Sequence, residues 1–213
     1  GQNGHDGILI DGASFGTGLY HNALYLDGED GFVSIPSLLE GTFTDVTLEA
    51  WIFLNGDSNE DQVIISGGTD GRLELGVDSN NQLYFEVWSL SLNDKRVSSS
   101  VSLTSGYWYH VAATYSEGHE INLYLNGINQ ESKGLESLFS LEQAPIPTCI
   151  GSRNYCGESF FNGRIDELRI SSRILTPTNF VSRPDATYLS AIVIDLDNAI
   201  TSYLWVSDID GVL

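Results

Sequence analysis

Apolar and polar residues alternate along most of this chain in short runs, and the 3.6-residue period of an amphipathic helix is almost absent. The clearest case is INLYLN, where Ile121, Leu123 and Leu125 alternate with Asn122 and other side chains that would face outward. Clusters of Gly, Asn, Asp and Ser separate the runs, and the Asn126-Gly127 pair favours a tight hairpin turn. About twelve strands without a convincing helix predict an all-β fold with two antiparallel sheets packed face to face.

The charge balance narrows the possible partners. The 213 residues include 29 acidic and 9 basic side chains, which gives a formal net charge of −20. Such a surface repels nucleic acid and anionic lipid, so we expect neither as a partner. No apolar run approaches the ~20 residues that cross a bilayer, so direct membrane insertion is not expected. The acidity itself fits either a solvated surface or several divalent-cation sites.

Two cysteines and one acidic strand carry candidate chemistry. Cys149 and Cys156 in CIGSRNYC are close enough for a small disulfide loop, although two free thiols remain an alternative. In GRIDELRIS, strict alternation places Asp166 on the same face as Leu168 and Ile170. A carboxylate on an apolar face is costly unless it is paired or bound to a metal. The open alternatives are a bound cation and a salt bridge to a neighbouring arginine, Arg164 or Arg169.

One strand and one loop carry a candidate binding surface. In LYFEVWS, Leu83, Phe85 and Val87 form an apolar face, which leaves Tyr84, Glu86 and Trp88 on the other. An aromatic ring beside polar groups suits a sugar, whose C–H face stacks on the ring while its hydroxyls form hydrogen bonds. The residues predicted to line this surface are Trp88, Tyr84, Arg72 and Glu74, and those predicted in the loop SRNYCGES are Asn154, Tyr155 and Arg153. The alternatives are that Trp88 is covered by a neighbouring segment and that the loop binds nothing.

Five sequence blocks, in order, resemble the laminin-G-like jelly-roll domains of the concanavalin A-like lectin/glucanase superfamily. They are GQNGHDGILIDGA (1–13), ALYLDGEDGFVSIP (23–36), TLEAWI (47–52), YWYHVAATY with INLYLNG (107–127) and FNGRIDELRISSRILTPTNF (161–180). The resemblance implies a two-sheet antiparallel jelly-roll sandwich over residues 1–181. Residues 182–213 are expected to be a linker and the beginning of a following domain, since 186–213 resembles the opening of an immunoglobulin-like or PKD-type repeat.

The resemblance also implies a function. In this superfamily the first and last strands are adjacent and often hold a structural calcium, which would bring Asp166 to Asp27 and Asp30. It implies a calcium-stabilised, carbohydrate-binding module that recognises glycans or polysaccharides. Its neighbours would be the other domains of a larger secreted or cell-surface protein, such as a bacterial adhesin. The alternatives are a structural or protein-binding spacer and a polysaccharide-degrading enzyme. We expect no catalysis, because no Glu-x-Asp-x-(x)-Glu run or nucleophile motif is present.

Overall fold

The structure is a computed structural model that describes residues 7–19, 21–35, 41–67, 73–89, 92–135, 141–143, 147–153, 156–180, 192–195 and 203–204. Within these residues the chain is built of strands plus one 3-10 turn, Pro177–Asn179, which confirms the predicted all-β class. None of the described segments contains a helix long and apolar enough to span a membrane.

The described strands are short and follow one another closely along the chain. In chain order they are β1 (Ile8–Ile10), β2 (Ser14–Thr17), β3 (Asn22–Asp27), β4 (Phe32–Ile35), β5 (Gly41–Phe43), β6 (Asp45–Leu54), β7 (Gln62–Gly67), β8 (Leu73–Val77), β9 (Gln82–Ser89), β10 (Leu92–Ser102), β11 (Trp108–Ser116), β12 (Glu120–Leu125), β13 (Ile128–Gly134), β14 (Leu141–Gln143), β15 (Thr148–Ile150), β16 (Asn162–Ser171), β17 (Ile192–Asp195) and β18 (Tyr203–Leu204).

Two large sheets form the sandwich. The seven-stranded sheet has the order β1-β4-β15-β7-β8-β9-β10, and the nine-stranded sheet has the order β13-β12-β11-β6-β16-β17-β18, with β3 beside β16 and β2 beside β3. A separate pair joins β14 to β5. Among the described strands every pairing is antiparallel except that of β16 with β17. β17 and β18 fall in the predicted 182–213 segment and extend the nine-stranded sheet, and the domain division at residue 181 stays a prediction.

The core lies between the inward faces of the two sheets. β6 contributes Leu48, Ala50 and Ile52, while β8 contributes Leu75 and Val77, all fully buried. The alternate residues of these strands face outward, as period-two alternation requires. Burial of each leucine, isoleucine or valine side chain is worth roughly 1.5–3 kcal/mol, so the alternating pattern itself stabilises the sandwich.

A β-bulge in β16 changes the predicted position of Asp166. Between Asp166 and Arg169 this strand advances three residues while β6 advances two, from Trp51 to Glu49. Glu167 takes up the extra residue with a positive φ of 49°. As a result Ile165, Leu168 and Ile170 all belong to the core. The prediction that Asp166 shares a face with Leu168 and Ile170 is wrong, because a bulge breaks strict alternation.

Candidate functional site

The outer face of the seven-stranded sheet carries the predicted binding strand. Leu83, Phe85 and Val87 of β9 are fully buried in the core, so Tyr84, Glu86 and Trp88 point to the opposite face, as predicted. Trp88 is partly buried there. The strand therefore presents an aromatic and an acidic side chain outward at a fixed spacing.

Tyr84 lies on this outer face but is 0% exposed. The Arg96 guanidinium carbon lies 3.8 Å from the centroid of its ring. On the neighbouring strand, a Cβ atom at Gly76 would lie 2.6 Å from the ring, so only glycine leaves room for it. The prediction that Tyr84 contacts a sugar directly is wrong, because β8 and β10 enclose its ring.

Arg153 anchors the covered tyrosine from the loop that follows β15. Its guanidinium donates two hydrogen bonds to the Glu74 carboxylate, at 2.8 and 2.6 Å, and one to the Tyr84 hydroxyl at 3.0 Å. The Tyr84 hydroxyl in turn donates to Glu74. Two of the predicted lining residues, Glu74 and Arg153, are thus in direct contact. A bidentate arginine–carboxylate pair of this kind fixes both side chains in one geometry.

A disulfide holds the loop that contains Arg153. Cys149 and Cys156 are bonded to each other, so the alternative of two free thiols does not apply in this structure. The seven-residue separation closes a small loop in which Arg153 is the fifth residue. The cross-link therefore restricts the backbone that positions the guanidinium over Glu74.

The charge states of this network are stable. Burial, with the nearby Glu74 carboxylate, raises the pKa of the Tyr84 hydroxyl far above its ordinary value. Burial alone would lower the pKa of Arg153, but the hydrogen bond and charge of Glu74 outweigh it and raise that pKa. Tyr84 stays neutral and Arg153 stays charged throughout the physiological pH range.

A more accessible ring of charges surrounds this network. Arg96 lies 3.4 Å from Glu86, 3.8 Å from Asp78 and 4.0 Å from Asp61, measured between side-chain nitrogen and oxygen atoms. The Arg96 side chain is 34% exposed and that of Glu86 is 26% exposed. We name the whole set the Tyr84 cluster: it comprises Asp61, Glu74, Asp78, Tyr84, Glu86, Arg96 and Arg153.

Sequence reasoning missed part of this cluster. Arg96, Asp61 and Asp78 come from different segments, and the cross-strand register that unites them is not visible in the sequence. Gly76 in RLELGVD is the one local signal, since a glycine inside a strand often marks a close approach by another group. Arg72, Asn154 and Tyr155 lie outside the described residues, so their predicted contribution to a binding site stays a prediction.

The predicted calcium ligands do not converge. Asp27 Oδ1 accepts backbone hydrogen bonds from Glu29, Asp30 and Gly31, at 2.9–3.2 Å. Burial would raise the pKa of Asp27, but these hydrogen bonds outweigh it and lower the pKa below its ordinary value. Asp30 Oδ1 accepts from the Gly12 amide at 3.2 Å. The two aspartates thus organise the turn between β3 and β4, with part of their hydrogen-bonding capacity already used.

Asp166 lies away from that turn. Asp27 pairs with Asn162, and Asp166 is four residues further along β16, about 13 Å at the rise of an extended strand. Its oxygens accept hydrogen bonds from the Leu19 and Glu167 amides, both at 2.9 Å. The predicted grouping of Asp166 with Asp27 and Asp30 is therefore wrong. Within the described residues no three His, Cys, Asp or Glu side chains form a metal-binding group.

A second charged cluster lies on the outer face of the nine-stranded sheet. Glu49 is fully buried, accepts hydrogen bonds from Arg169 and lies 3.1 Å from His110 Nε2. Phe180 covers the His110 ring at a centroid distance of 5.5 Å, and Arg169 also donates to the Asn179 carbonyl. We name Glu49, His110 and Arg169 the Glu49 cluster, and residues 173–180 the covering segment.

Two tryptophans, Trp51 and Trp108, also lie on this outer face. Trp51 contacts the His110 ring edge-on at 5.4 Å, and Trp108 contacts Phe53 at 5.5 Å. Both are partly buried rather than enclosed between the sheets. His110 is buried and hydrogen-bonded to Glu49 on the outer side of its sheet.

A sandwich of two antiparallel sheets is the architecture of jelly-roll domains. A family model of the concanavalin A-like lectin/glucanases superfamily, Laminin_G_3, matches residues 27–179. The chain belongs to this laminin-G-like family. Among curated protein sequences, none matches the chain.

Solved structures share the fold at low sequence identity. The binding domain of Paraclostridial Mosquitocidal Protein 1 has a TM-score of 0.66 and 14% identity, covering 83% of this chain and 46% of that one. The Botulinum neurotoxin serotype D ligand-binding domain, solved with N-acetylneuraminic acid, has a TM-score of 0.66 and 16% identity, and the match covers 82% of this chain and 44% of that one. Domain 4 of AbnA, a GH43 extracellular arabinanase from Geobacillus stearothermophilus, was solved with arabinotriose. It has a TM-score of 0.62 and 19% identity, and the match covers 81% of this chain and 84% of that one. The chain thus spans less than half of the toxin domains, and at these identities the likeness shows the fold.

Proposed function

We propose that this chain is a non-catalytic carbohydrate-binding module of a larger secreted or cell-surface protein, such as a bacterial adhesin. The observation that carries the proposal is the outer face of the seven-stranded sheet. There Trp88 and the partly exposed Glu86 lie two residues apart on the outward face of β9, and Glu86 pairs with Arg96. On the same face, Arg153 donates hydrogen bonds to Glu74 and to Tyr84. Because this network holds its side chains in one geometry, less conformational entropy is lost when a ligand binds.

The chemistry of this face suits a sugar. An aromatic ring provides a stacking surface for the C–H face of a pyranose or furanose, and charged side chains exchange hydrogen bonds with its hydroxyls. The fold neighbours support the ligand class in general terms, because one was solved with arabinotriose and another with N-acetylneuraminic acid. We assign glycan recognition to the exposed rim of the Tyr84 cluster and Trp88.

Substitution of Trp88 tests the location of the binding face. Trp88→Ala should weaken binding of a glycan identified on an array by about tenfold or more, the loss expected for an aromatic contact of about 1.4 kcal/mol or more. The matched control is Trp108→Ala, a partly buried tryptophan on the outer face of the other sheet. Isothermal titration calorimetry measures both. Equal affinities for Trp88→Ala and the unsubstituted chain would remove this face from the proposal.

Two carboxylates on the same face are the observation that would favour an enzyme, because glycosidases use a pair of carboxyl groups. Glu74 and Glu86 are directly opposite each other on β8 and β9, and two carboxyl groups about 5 Å apart are the arrangement of retaining glycosidases. Each is nevertheless paired with an arginine, Arg153 or Arg96, so neither is placed to deliver a proton to a leaving group. We propose binding without hydrolysis. Reducing-end or unsaturated products released from polysaccharides would contradict it.

The spacer alternative has its own readout. A structural spacer would fold normally and remain silent on a glycan array both with calcium and with a chelator. Binding that requires calcium would assign the ion to the ligand site, whereas binding in both conditions would limit calcium to a structural role. Circular dichroism under the same conditions verifies that the module is folded.

Calcium stabilisation is a separate proposal that rests on the family resemblance. The 27–31 turn is the part of the predicted site that stays together, and Asp27 and Asp30 supply two carboxylates there. A bound ion at a hundredfold excess over its dissociation constant stabilises the folded state by about 2.7 kcal/mol. Chelation should therefore lower the melting temperature, and Asp30→Asn should reduce that sensitivity while Asp166→Asn retains it. An unchanged melting curve under chelation would rule out the ion.

A further inference from the structure

An open groove lies on the outer face of the nine-stranded sheet, away from the Tyr84 cluster. It has a volume of about 500 Å³, within the range of roughly 300–1,000 Å³ that small-molecule sites occupy. Its described lining residues are Thr114, Ser116, His119, Glu120, Asn122 and Ile174. Two cross-strand pairs form the floor, since Thr114 lies opposite Asn122 and Ser116 opposite Glu120.

Hydrogen bonds fix the polar floor before any ligand arrives. The Asn122 amide nitrogen donates to Thr114 Oγ1 and to Glu120 Oε1, both at 3.2 Å. On the other side, the Asn122 carbonyl oxygen accepts from the Ser132 hydroxyl. Asn122 is only 8% exposed, so its orientation is set by these partners. The Thr114 and Glu120 oxygens keep further lone pairs with which to accept hydroxyl hydrogens.

One wall of the groove is apolar. Ile174, in the covering segment, is 40% exposed although its neighbour Leu175 is buried. The covering segment is held in place because Thr47 Oγ1 donates to the Arg173 carbonyl and accepts from the Leu175 amide, at 2.7 and 2.9 Å. An aliphatic wall fixed beside a floor of hydroxyl, amide and carboxylate groups matches a sugar, which has C–H groups on one side and hydroxyls around its edge.

The charges of the groove select among sugars. Among the described lining residues Glu120 contributes a carboxylate. Ser116 donates to Asp45 at 2.8 Å, which adds a second carboxylate at the end of the floor. An acidic sugar would meet like charge here, within a chain of net charge −20.

We propose that this groove is a second glycan-binding site, independent of Trp88 and selective for a neutral monosaccharide or disaccharide unit. The class of ligand rests on the proposed carbohydrate-binding function, whereas the place and the preference for neutral units come from the groove itself. Because the two sites lie on the outer faces of different sheets, one module would hold two separate glycan segments.

Nuclear magnetic resonance on the isotopically labelled full chain tests the proposal. The probes are arabinotriose, glucose, galactose and mannose as neutral ligands and N-acetylneuraminic acid as the acidic one. We expect saturable shifts of the Asn122 side-chain amide with at least one neutral probe and none with the acidic probe. His119→Ala and Ile174→Ala, both at exposed positions, should each weaken this interaction by about two- to tenfold, the loss expected for one hydrogen bond or a similar contact. Trp88→Ala should leave it unchanged.

Each other outcome has a distinct meaning. Shifts confined to the Trp88 indole would overturn the second site while leaving the proposed function intact. Asn122 shifts that disappear in Trp88→Ala would show that the groove is not independent and would also overturn it. No shift at Asn122 with any neutral probe would overturn the second site, and no shift at either place with any of the five probes would contradict both proposals. Equal response to N-acetylneuraminic acid would contradict the selectivity for neutral units.

Discussion

The Tyr84 cluster and the Glu49 cluster use the same chemistry on opposite sides of the molecule. In each, a buried glutamate on the outer face of a sheet pairs with an arginine that arrives from a different segment, Arg153 in one and Arg169 in the other. They differ in what lies above them. The covering segment places Phe180 over His110 and engages Arg169 through the Asn179 carbonyl. The rim of the Tyr84 cluster instead presents Arg96 and Glu86 partly exposed.

This difference indicates two roles for one arrangement. A buried ion pair contributes little net stability by itself, but it is costly to break because the remaining charge loses its partner. Under the covering segment such a pair ties three pieces of the fold together, with Glu49 fully buried beneath it. On the open face, the same kind of pair fixes a base from which exposed side chains can bind one.

The largest expected effect comes from breaking the covered pair. Glu49→Ala leaves Arg169 and His110 without their carboxylate, so the free energy of unfolding should fall by about 3–5 kcal/mol. Urea denaturation measures it, with Glu49→Gln as the control that retains size and hydrogen-bonding atoms and should lose less. A loss below about 1 kcal/mol for Glu49→Ala would mean that the Glu49 cluster is not structural. The proposed difference in role between the Glu49 cluster and the Tyr84 cluster would then be wrong.

Removing the disulfide should have the next largest effect. Replacing Cys149 and Cys156 by serine opens a loop that, in the chain-entropy model, contributes about 2–3 kcal/mol. Because Arg153 lies in that loop, the glycan affinity of the open face should fall as well, while the sugar response of the Asn122 groove should not. Thermal melts and calorimetry separate the two effects. Unchanged affinity at both sites would show that the disulfide does not position Arg153.

The sequence contained most of the fold and the outward direction of the binding strand. Alternation in LYFEVWS placed Trp88 and Glu86 outward, because burial of Leu83, Phe85 and Val87 determines the face locally. The sequence did not predict that Tyr84 is enclosed. The enclosure depends on Arg96 of β10 lying over the ring, and the register that places Arg96 there shifts between Leu92 and Lys95 and again between Ser98 and Ser102. No local pattern encodes such shifts.

The misplaced Asp166 has a similar cause. A period of two predicts its face only while the ladder is regular, and the bulge at Glu167 adds one residue without a glycine to mark it. The predicted grouping of Asp166 with Asp27 and Asp30 was wrong because it depends on which residues of β3 and β16 lie opposite each other. That pairing joins distant segments and cannot be inferred from either segment alone. Asp27 and Asp30 lie in one turn, where Asp27 accepts hydrogen bonds from amides within four residues and Asp30 accepts one from Gly12, which is distant in sequence but close in space.

The smallest stability effect is expected at the rim, where it distinguishes the two clusters most directly. Glu86→Ala removes one of three carboxylates near Arg96, and Asp61 and Asp78 remain within 4.0 Å and 3.8 Å of its guanidinium. Partly exposed ion pairs of this kind contribute about 0–1 kcal/mol, so urea denaturation should barely change. Glycan affinity at the Trp88 face should nevertheless fall, because a hydroxyl partner is lost beside the stacking ring. A loss of stability near that of Glu49→Ala, with affinity unchanged, would show that the open cluster is structural too, and glycan recognition would then have to be assigned elsewhere on the module.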